Sequence, residues 1–363
     1  MHMADALLSP AVGATFWAGT LGTIAYCSKK LKENPDEKLI PLMGVLGAFI
    51  FAAQMINFTI PGTGSSGHLG GGMILAIILG PYAAFVVMAS VLTVQAFFFA
   101  DGGLLALGCN IWNLGIYPCF ISYPLIYKPL VKEGSTRKRI VIASVIGAVL
   151  GLQLGAFSVV IETMLSGRSE LPYITFALMM QPVHLAIGLV EGFVTAGVIN
   201  FVRTARPEIF ESGSSIQPLS ADVSMRKILA GLLIFAVLTG GMLSWFASAN
   251  PDGLEWSIEK VFGQPRLPEA EIGIVPELKK IQENTAFLPD YHLKTEENKA
   301  GGQGSGKGSG KGEKPWPSAK AGTSISGILG SAMVLSLIFL IGFGIRLVRK
   351  NKTTQKTNNN DIR

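Results

Sequence analysis

The run "LGGGMILAIILGPYAAFVVMASVLTVQAFFFA", residues 69–100, decides how this chain is threaded. It holds no Asp, Glu, Lys or Arg. A single membrane crossing takes about 20 residues, so the run is long for one helix and short for two. Gly80-Pro81 interrupts it, and that pair favours a tight turn followed by a new helix start. The loops decide between the two readings. Basic residues lie at 29–38 ("KKLKENPDEK"), 128–139 ("KPLVKEGSTRKR"), 203–227 and in the tail "RLVRKNKTTQK". Short loops rich in Lys and Arg stay on the cytoplasmic side. If 69–100 crosses once, the five basic residues of 128–139 fall outside. If it crosses twice, every basic loop falls inside, so two crossings are expected.

The rest of the composition agrees with a membrane protein. Of 363 residues only 15% are charged, against about 25% in a soluble domain. Mean hydropathy is +0.44. The net charge of +6 sits in loops between apolar runs, where it encodes topology, so nucleic acid is not an expected partner and membrane lipid is. Three cysteines, Cys27, Cys109 and Cys119, lie in or beside apolar runs and do not suggest a disulfide framework. The start lacks a basic leader, and no removable signal peptide is expected.

The expected fold is all-α. A seven-segment core spans 1–205, with apolar runs near 11–28, 40–58, 69–79, 82–100, 104–127, 138–164 and 173–202. A polar cytoplasmic linker follows at 206–226. A two-helix hairpin at 227–350 encloses an external stretch, 249–323, and residues 351–363 form a cytoplasmic tail. About nine crossings place the N-terminus outside and the C-terminus inside. The stretch "IPGTGSSGHLGGG" (60–72) is expected to dip into the protein, because irregular backbone at membrane depth must be buried. Within 249–323, "GGQGSGKGSGKGEK" (301–314) reads as a flexible linker. It nearly matches a phosphate-binding loop, but Gly308 stands where Ser or Thr belongs, so no ATPase activity is expected from this chain.

This threading puts two histidines on one side. The chain begins "MHMADALLSP", and His68 lies in the second external loop. The Met1 amine, the His2 amide nitrogen and the His2 imidazole Nδ1 can form fused chelate rings in one plane, which leaves a fourth position for His68. Four nitrogens in a square suit Ni(II) or Cu(II). Zinc prefers a tetrahedron, and calcium and magnesium prefer oxygen. A histidine at a chain tip, or one in a glycine-rich loop, also occurs without any ligand role.

The motifs "MHMADALLSP" and "GTGSSGHLGGGMILAIILGPYAAFVVMASVLTVQAFFFADGGLLALGCNIWNLG" resemble the CbiM/NikM family, the metal-binding membrane components of energy-coupling-factor transporters for cobalt and nickel. The resemblance covers about 1–205. "NPDGLEWSIEKVFG" at 250–263 resembles the PDGLE-type extension that accompanies them. The resemblance implies an import subunit for Ni(II), or alternatively Co(II), in a bacterial or archaeal cell membrane. It implies Met1, His2 and His68 as ligands, and a coupling membrane subunit and two cytoplasmic ATPase subunits as partners. A protein that stores or inserts nickel without transporting it is a second reading, and a structural membrane protein a third.

Asp5, Asn57, Asp101, Asn110 and Asn113 sit at expected outer helix ends, either as outer partners of the ligands or as helix caps. His184 and Glu191 share a helix face at membrane depth, where ionisable groups are usually functional, though an interhelical hydrogen bond also suits His184. Glu162 is placed near the outer mouth, and Cys109 is read as packing. Gly44, Ala48 and Ala52 form a small-residue stripe. It suits either docking of the coupling subunit, as the family resemblance implies, or packing within the chain.

Overall fold

The computed structural model describes residues 2–33, 39–132, 134–168, 171–205, 225–268, 273–292 and 321–360. The linker at 206–224 and the Gly/Ser/Lys stretch at 301–314 lie outside the described residues, as does Met1. The fold is mostly helical. α1 (Pro10–Glu33) and α2 (Leu39–Gln54) are followed by a short hairpin, β1 (Phe58–Ile60) and β2 (Ser65–Gly67). Then come α3 (Gly72–Leu79), α4 (Pro81–Phe99) and α5 (Leu107–Ile111), which runs on as a π-helix over Trp112–Tyr127. α6 (Arg137–Ser166) and α7 (Tyr173–Ala205) complete the first part. The second part contributes α8 (Met225–Gly241), α9 (Gly253–Phe262), α10 (Val275–Thr285) and α11 (Ala321–Asn360).

The run at 69–100 breaks where its sequence implies. Gly80 takes φ +76, a value open to glycine, and Pro81 starts α4 with its missing N–H at a position that needs none. α3 has eight residues, about 12 Å, too short to span the membrane alone. The preceding backbone does dip inward: Ser65, Ser66, Gly67 and His68 are buried. It does so as an antiparallel ladder, with Thr59 opposite Ser66, so the fold is not purely helical. At this depth the ladder satisfies N–H and C=O groups that lipid cannot.

Among the described residues, four helices are long and apolar enough to cross a membrane: Pro81–Phe99, Arg137–Ser166, Tyr173–Thr204 and Gly322–Gly344, with shorter apolar helices at Leu39–Gln54 and Leu229–Gly241. Side chains such as Ile174, Phe193, Phe201, Ile234, Leu340 and Phe343 are exposed along α7, α8 and α11, as expected of surfaces that meet lipid tails.

α8 and α11 form a hairpin that lies on α2. Gly240 and Gly327 let their backbones approach so closely that a Cβ on Gly240 would stand 3.0 Å from the Gly327 backbone. Ser324 donates to the Gly241 carbonyl and accepts from the Trp245 indole. The small-residue stripe on α2 meets α11: a Cβ on Gly44 would stand 3.2 Å from Leu335, and Ser331 donates to the Ala48 carbonyl at 3.0 Å. Gly44, Ala48 and Ala52 are all buried. In this chain, the face that carries Gly44 and Ala48 packs against α11.

Candidate metal site

A chain terminus is ordered only where something holds it. Here Met3 and Leu8 are 0% exposed and Leu7 is 2% exposed, and each fully buried side chain of this kind stabilises by about 1.5–3 kcal/mol. Polar contacts then set the register. Met3 N donates to Asn110 Oδ1 at 2.8 Å, while the Met3 carbonyl accepts from Gly103 N at 2.9 Å and Asn110 Nδ2 at 3.3 Å. Asp5 Oδ1 accepts from Ala106 N at 2.9 Å. The tip can lie this close because the facing residues have no side chain. A Cβ on Gly103 would overlap the Asp5 carboxylate, and one on Gly102 would stand 3.4 Å from His2 Cβ.

This clamp delivers His2 to His68. The two rings stack with centroids 5.0 Å apart and planes 10° from parallel. His68 is 8% exposed and its Nδ1 lies 3.1 Å from the Leu69 carbonyl. Its loop is tied from below. Glu191 on α7 accepts from Gly70 N at 2.6 Å and Gly71 N at 3.1 Å, and Gln54 Nε2 donates to the Gly70 carbonyl. A Cβ on Gly67 would strike Ile187, which explains the glycine beside His68.

His2 Nδ1 lies 3.2 Å from Asp101 Oδ1. The spacing is that of an ion pair, but burial pushes both His2 and His68 down to about 3. Both rings are therefore neutral at pH 7, the form that ligates metals. The contact with Asp101 is then a hydrogen bond donated by Nδ1–H. Among the described residues, His2 Nε2 is buried and meets no hydrogen-bond partner. The sequence reading assigned Nδ1 to a chelate; the structure turns it to Asp101 instead. Asp101 itself is aimed by the left-handed turn at Ala100, φ +53, which ends α4. Its Oδ2 accepts from the Tyr291 hydroxyl at 2.5 Å, and burial pushes its carboxyl up.

The remaining candidates sort by what they touch. Asn110 clamps Met3, and Asp5 caps backbone N–H groups; both position the tip. Asn113 reaches Met3 Sδ at 3.9 Å and donates to Glu162 at 2.9 Å. Glu162 is 0% exposed and also accepts from Ser158, so it is a buried partner of Asn113 and not a mouth residue. Asn57 offers its backbone carbonyl to Ser248 N at 2.6 Å. His184 pairs through Nδ1 with the Met180 carbonyl of its own helix, not across helices, and lines a small cavity with His68. Cys109 is a buried free thiol.

Sequence reasoning missed the second part's share in this site. Ser66 N donates to the Pro251 carbonyl at 2.8 Å and Trp256 Nε1 to the Thr63 carbonyl at 3.0 Å. Gln282 Nε2 donates to the carbonyls of Ala96 and Gly102. Asp252 lines the same cavity as His68 and His184. The motif "DGLE" carried a signal, since Asp followed three residues later by Glu marks a helix start. Asp252 does cap α9, but the motif could not say which wall the cap faces. Gln95 was legible as a lone amide in an apolar run; its Nε2 donates to Gln54 Oε1 at 2.8 Å.

Comparisons with known proteins place this arrangement. The solved structure titled "Crystal Structure of an Truncated Transition metal Transporter" superposes with a TM-score of 0.50 at 30% identity, over 56% of this chain and 99% of that one. The fold is that of a membrane protein of transition-metal transport. The family model for the CbiM cobalt uptake substrate-specific transmembrane region matches residues 2–209, and the PDGLE domain matches 226–347. The chain belongs to the CbiM family, joined in one polypeptide to a PDGLE domain, and is a component of nickel or cobalt transport. It is 32% identical to the "Putative fused nickel transport protein NikMN" of Archaeoglobus fulgidus over 94% of this chain and 98% of that one. It is 30% identical to the "Fused nickel transport protein NikMN" of Rhodobacter capsulatus, over 76% and 82%.

Proposed function

We propose that the chain is the metal-capturing membrane subunit of an energy-coupling-factor-type importer whose substrate is Ni(II). The Met1 amine, the His2 amide nitrogen, His2 Nδ1 and His68 supply four nitrogens in a plane. The observation that carries this reading is the docked tip, which sets a neutral, buried His2 ring face to face with a neutral, buried His68 ring. Chelation through Nδ1 exchanges the Asp101 contact: the ring turns about its Cβ–Cγ bond, which frees Nδ1 for the metal and leaves Nε2 to carry the proton. An imidazole ligand whose other nitrogen donates to a carboxylate is held in one tautomer and is the more basic for it. The amide ligand favours a metal that gains enough from a square plane to displace its proton, which favours nickel.

The reading extends to topology and partners. The N-terminus lies outside and the C-terminus in the cytoplasm, with seven crossings before the 206–226 linker and two after it. A coupling membrane subunit and two ATPase subunits provide the energy, since release of a tightly chelated ion into the cell needs work. Co(II) import is the alternative substrate reading, favoured by the name of the family model and by the 27% identity with "Cobalt transport protein CbiM" of Sorangium cellulosum.

The test is metal retention. The full chain, purified in detergent after growth with equal Ni(II) and Co(II), is analysed for metal beside His2→Ala and His68→Ala variants. About one nickel per chain, lost in both variants, is expected. Cobalt in its place selects the alternative substrate, and no retained metal contradicts capture.

A further inference from the structure

Asp252 belongs to the PDGLE part, yet it stands in the wall of the first part's site. It lines one small cavity with Gly67, His68, Gly70 and His184. Its position is fixed from both sides. Upstream, the Pro251 carbonyl accepts from Ser66 N and the Asn250 carbonyl from Ser66 Oγ, both at 2.8 Å. Downstream, a Cβ on Gly253 would stand 2.9 Å from Val183 and 3.0 Å from His184, so glycine lets α9 begin this close to α7. The carboxylate accepts from Leu254 N at 2.9 Å and Glu255 N at 2.8 Å.

Charge balance asks for an anion at this place. A dication bound by two neutral imidazoles, an amine and one deprotonated amide leaves a net charge of +1. Keeping such a charge in a buried mouth is costly unless it is paired. Asp101 faces the His2 side of the site, held by His2 and Tyr291, while Asp252 faces the His68 side.

We infer that Asp252 is a capture residue for the divalent cation: its carboxylate draws the metal into the mouth beside His68 and balances the charge of the bound ion. This rests on the metal-capture reading above and adds a role to the fused second part. The carboxylate acts through space at the rim of the site and is not one of the four in-plane nitrogens.

The competing role is capping alone, and substitution separates the two. Asn and Ser cap helices about as well as Asp but carry no charge. Ni(II) chloride is titrated into the full chain in detergent against a competing chelator, at two ionic strengths. Asp252→Asn and Asp252→Ser are expected to weaken nickel binding by about 10–100-fold, the usual effect of losing a partner outside the ligand set. They should keep the wild-type visible spectrum and thermal unfolding midpoint. The nickel on-rate should also lose much of its salt dependence, which a cap does not govern. Glu255→Gln, which removes a carboxylate that pairs with Arg266, is the control and should bind as wild type. Wild-type affinity and salt dependence in Asp252→Asn overturn the inference. If His68→Ala abolishes binding while Asp252→Asn binds as wild type, the capture reading stands and this inference falls. If the wild-type chain binds no nickel, both fall.

Discussion

The two segments that meet over the site are attached in different ways. The tip, residues 2–8, is sealed by Met3, Leu7 and Leu8 and by backbone bonds to Gly103 and Asn110. The cover from the second part, residues 248–268 and 273–292, leaves Phe262, Ile274, Ile281 and Phe287 more than a third exposed. The cover also buries Leu254, Ile258, Val275 and Leu288 and sets Phe287 and Tyr291 against Phe99, and Trp256, Gln282 and Tyr291 add polar contacts. A sealed segment suits a fixed ligand set. A partly exposed segment that brings none of the four proposed ligands but packs over the mouth suits a closure that admits and retains an ion. Disturbing the tip should thus abolish binding, and disturbing the cover should only weaken it.

The largest effect is expected from one glycine added before Met1. His2 would then be the third residue, the chelate would hold two amides, and no in-plane place would remain for His68. Nickel affinity should fall by more than the roughly 100-fold upper limit for an outer partner. In the unextended chain, binding at pH 7 should release between about one and two protons, because the amine is mostly protonated and the amide always is, while the buried imidazoles add none. Calorimetry in two buffers of different ionisation enthalpy counts them. Normal binding by the extended chain would make tip and cover equivalent.

Next in size is His68→Ala, which should exceed His184→Ala in a metal titration. His184 lines the cavity but spends Nδ1 on its own helix. The reverse order would move the site deeper into the bundle.

Asp101→Asn should cost about 10–100-fold, because the His2 ring loses the carboxylate that orients it. Tyr291→Phe removes only the hydroxyl that steadies Asp101 and should cost less. Equal losses would mean that the cover is as integral to the site as the tip.

The smallest effect is expected from Gly253→Ala. The new methyl presses on Val183 and His184, so the start of α9 shifts outward and exposes the mouth. Nickel dissociation should speed up severalfold with an unchanged spectrum. Faster amide hydrogen exchange confined to the second part would locate the opening there.

Much of the tip was legible before any coordinates, and little of the cover was. Gly80-Pro81 gave the break between α3 and α4, and the loop charges suggested that His2 and His68 share a side. The "DGG" at 101–103 does not announce that it makes room for Asp5 and His2, because close approach depends on what lies opposite. The hairpin at 58–67 escaped notice because "FTIPGTGSSG" lacks the alternation of a strand and is paired at depth for want of water. The cover's contacts run to the carbonyls of Thr63, Ala96 and Gly102, and a backbone carbonyl leaves no trace in a sequence. The stripe at Gly44 and Ala48 named a close helix contact but not its partner, which proved to be α11.

The central claim is a square of four nitrogens at the tip, and the electronic state of bound nickel tests it most directly. The full chain is loaded with one equivalent of Ni(II) in detergent, and its visible spectrum and magnetic susceptibility are recorded together. A square-planar site predicts diamagnetic nickel with a d–d band in the visible, lost in His2→Ala. Paramagnetic nickel, or an unchanged spectrum in that variant, would contradict the account.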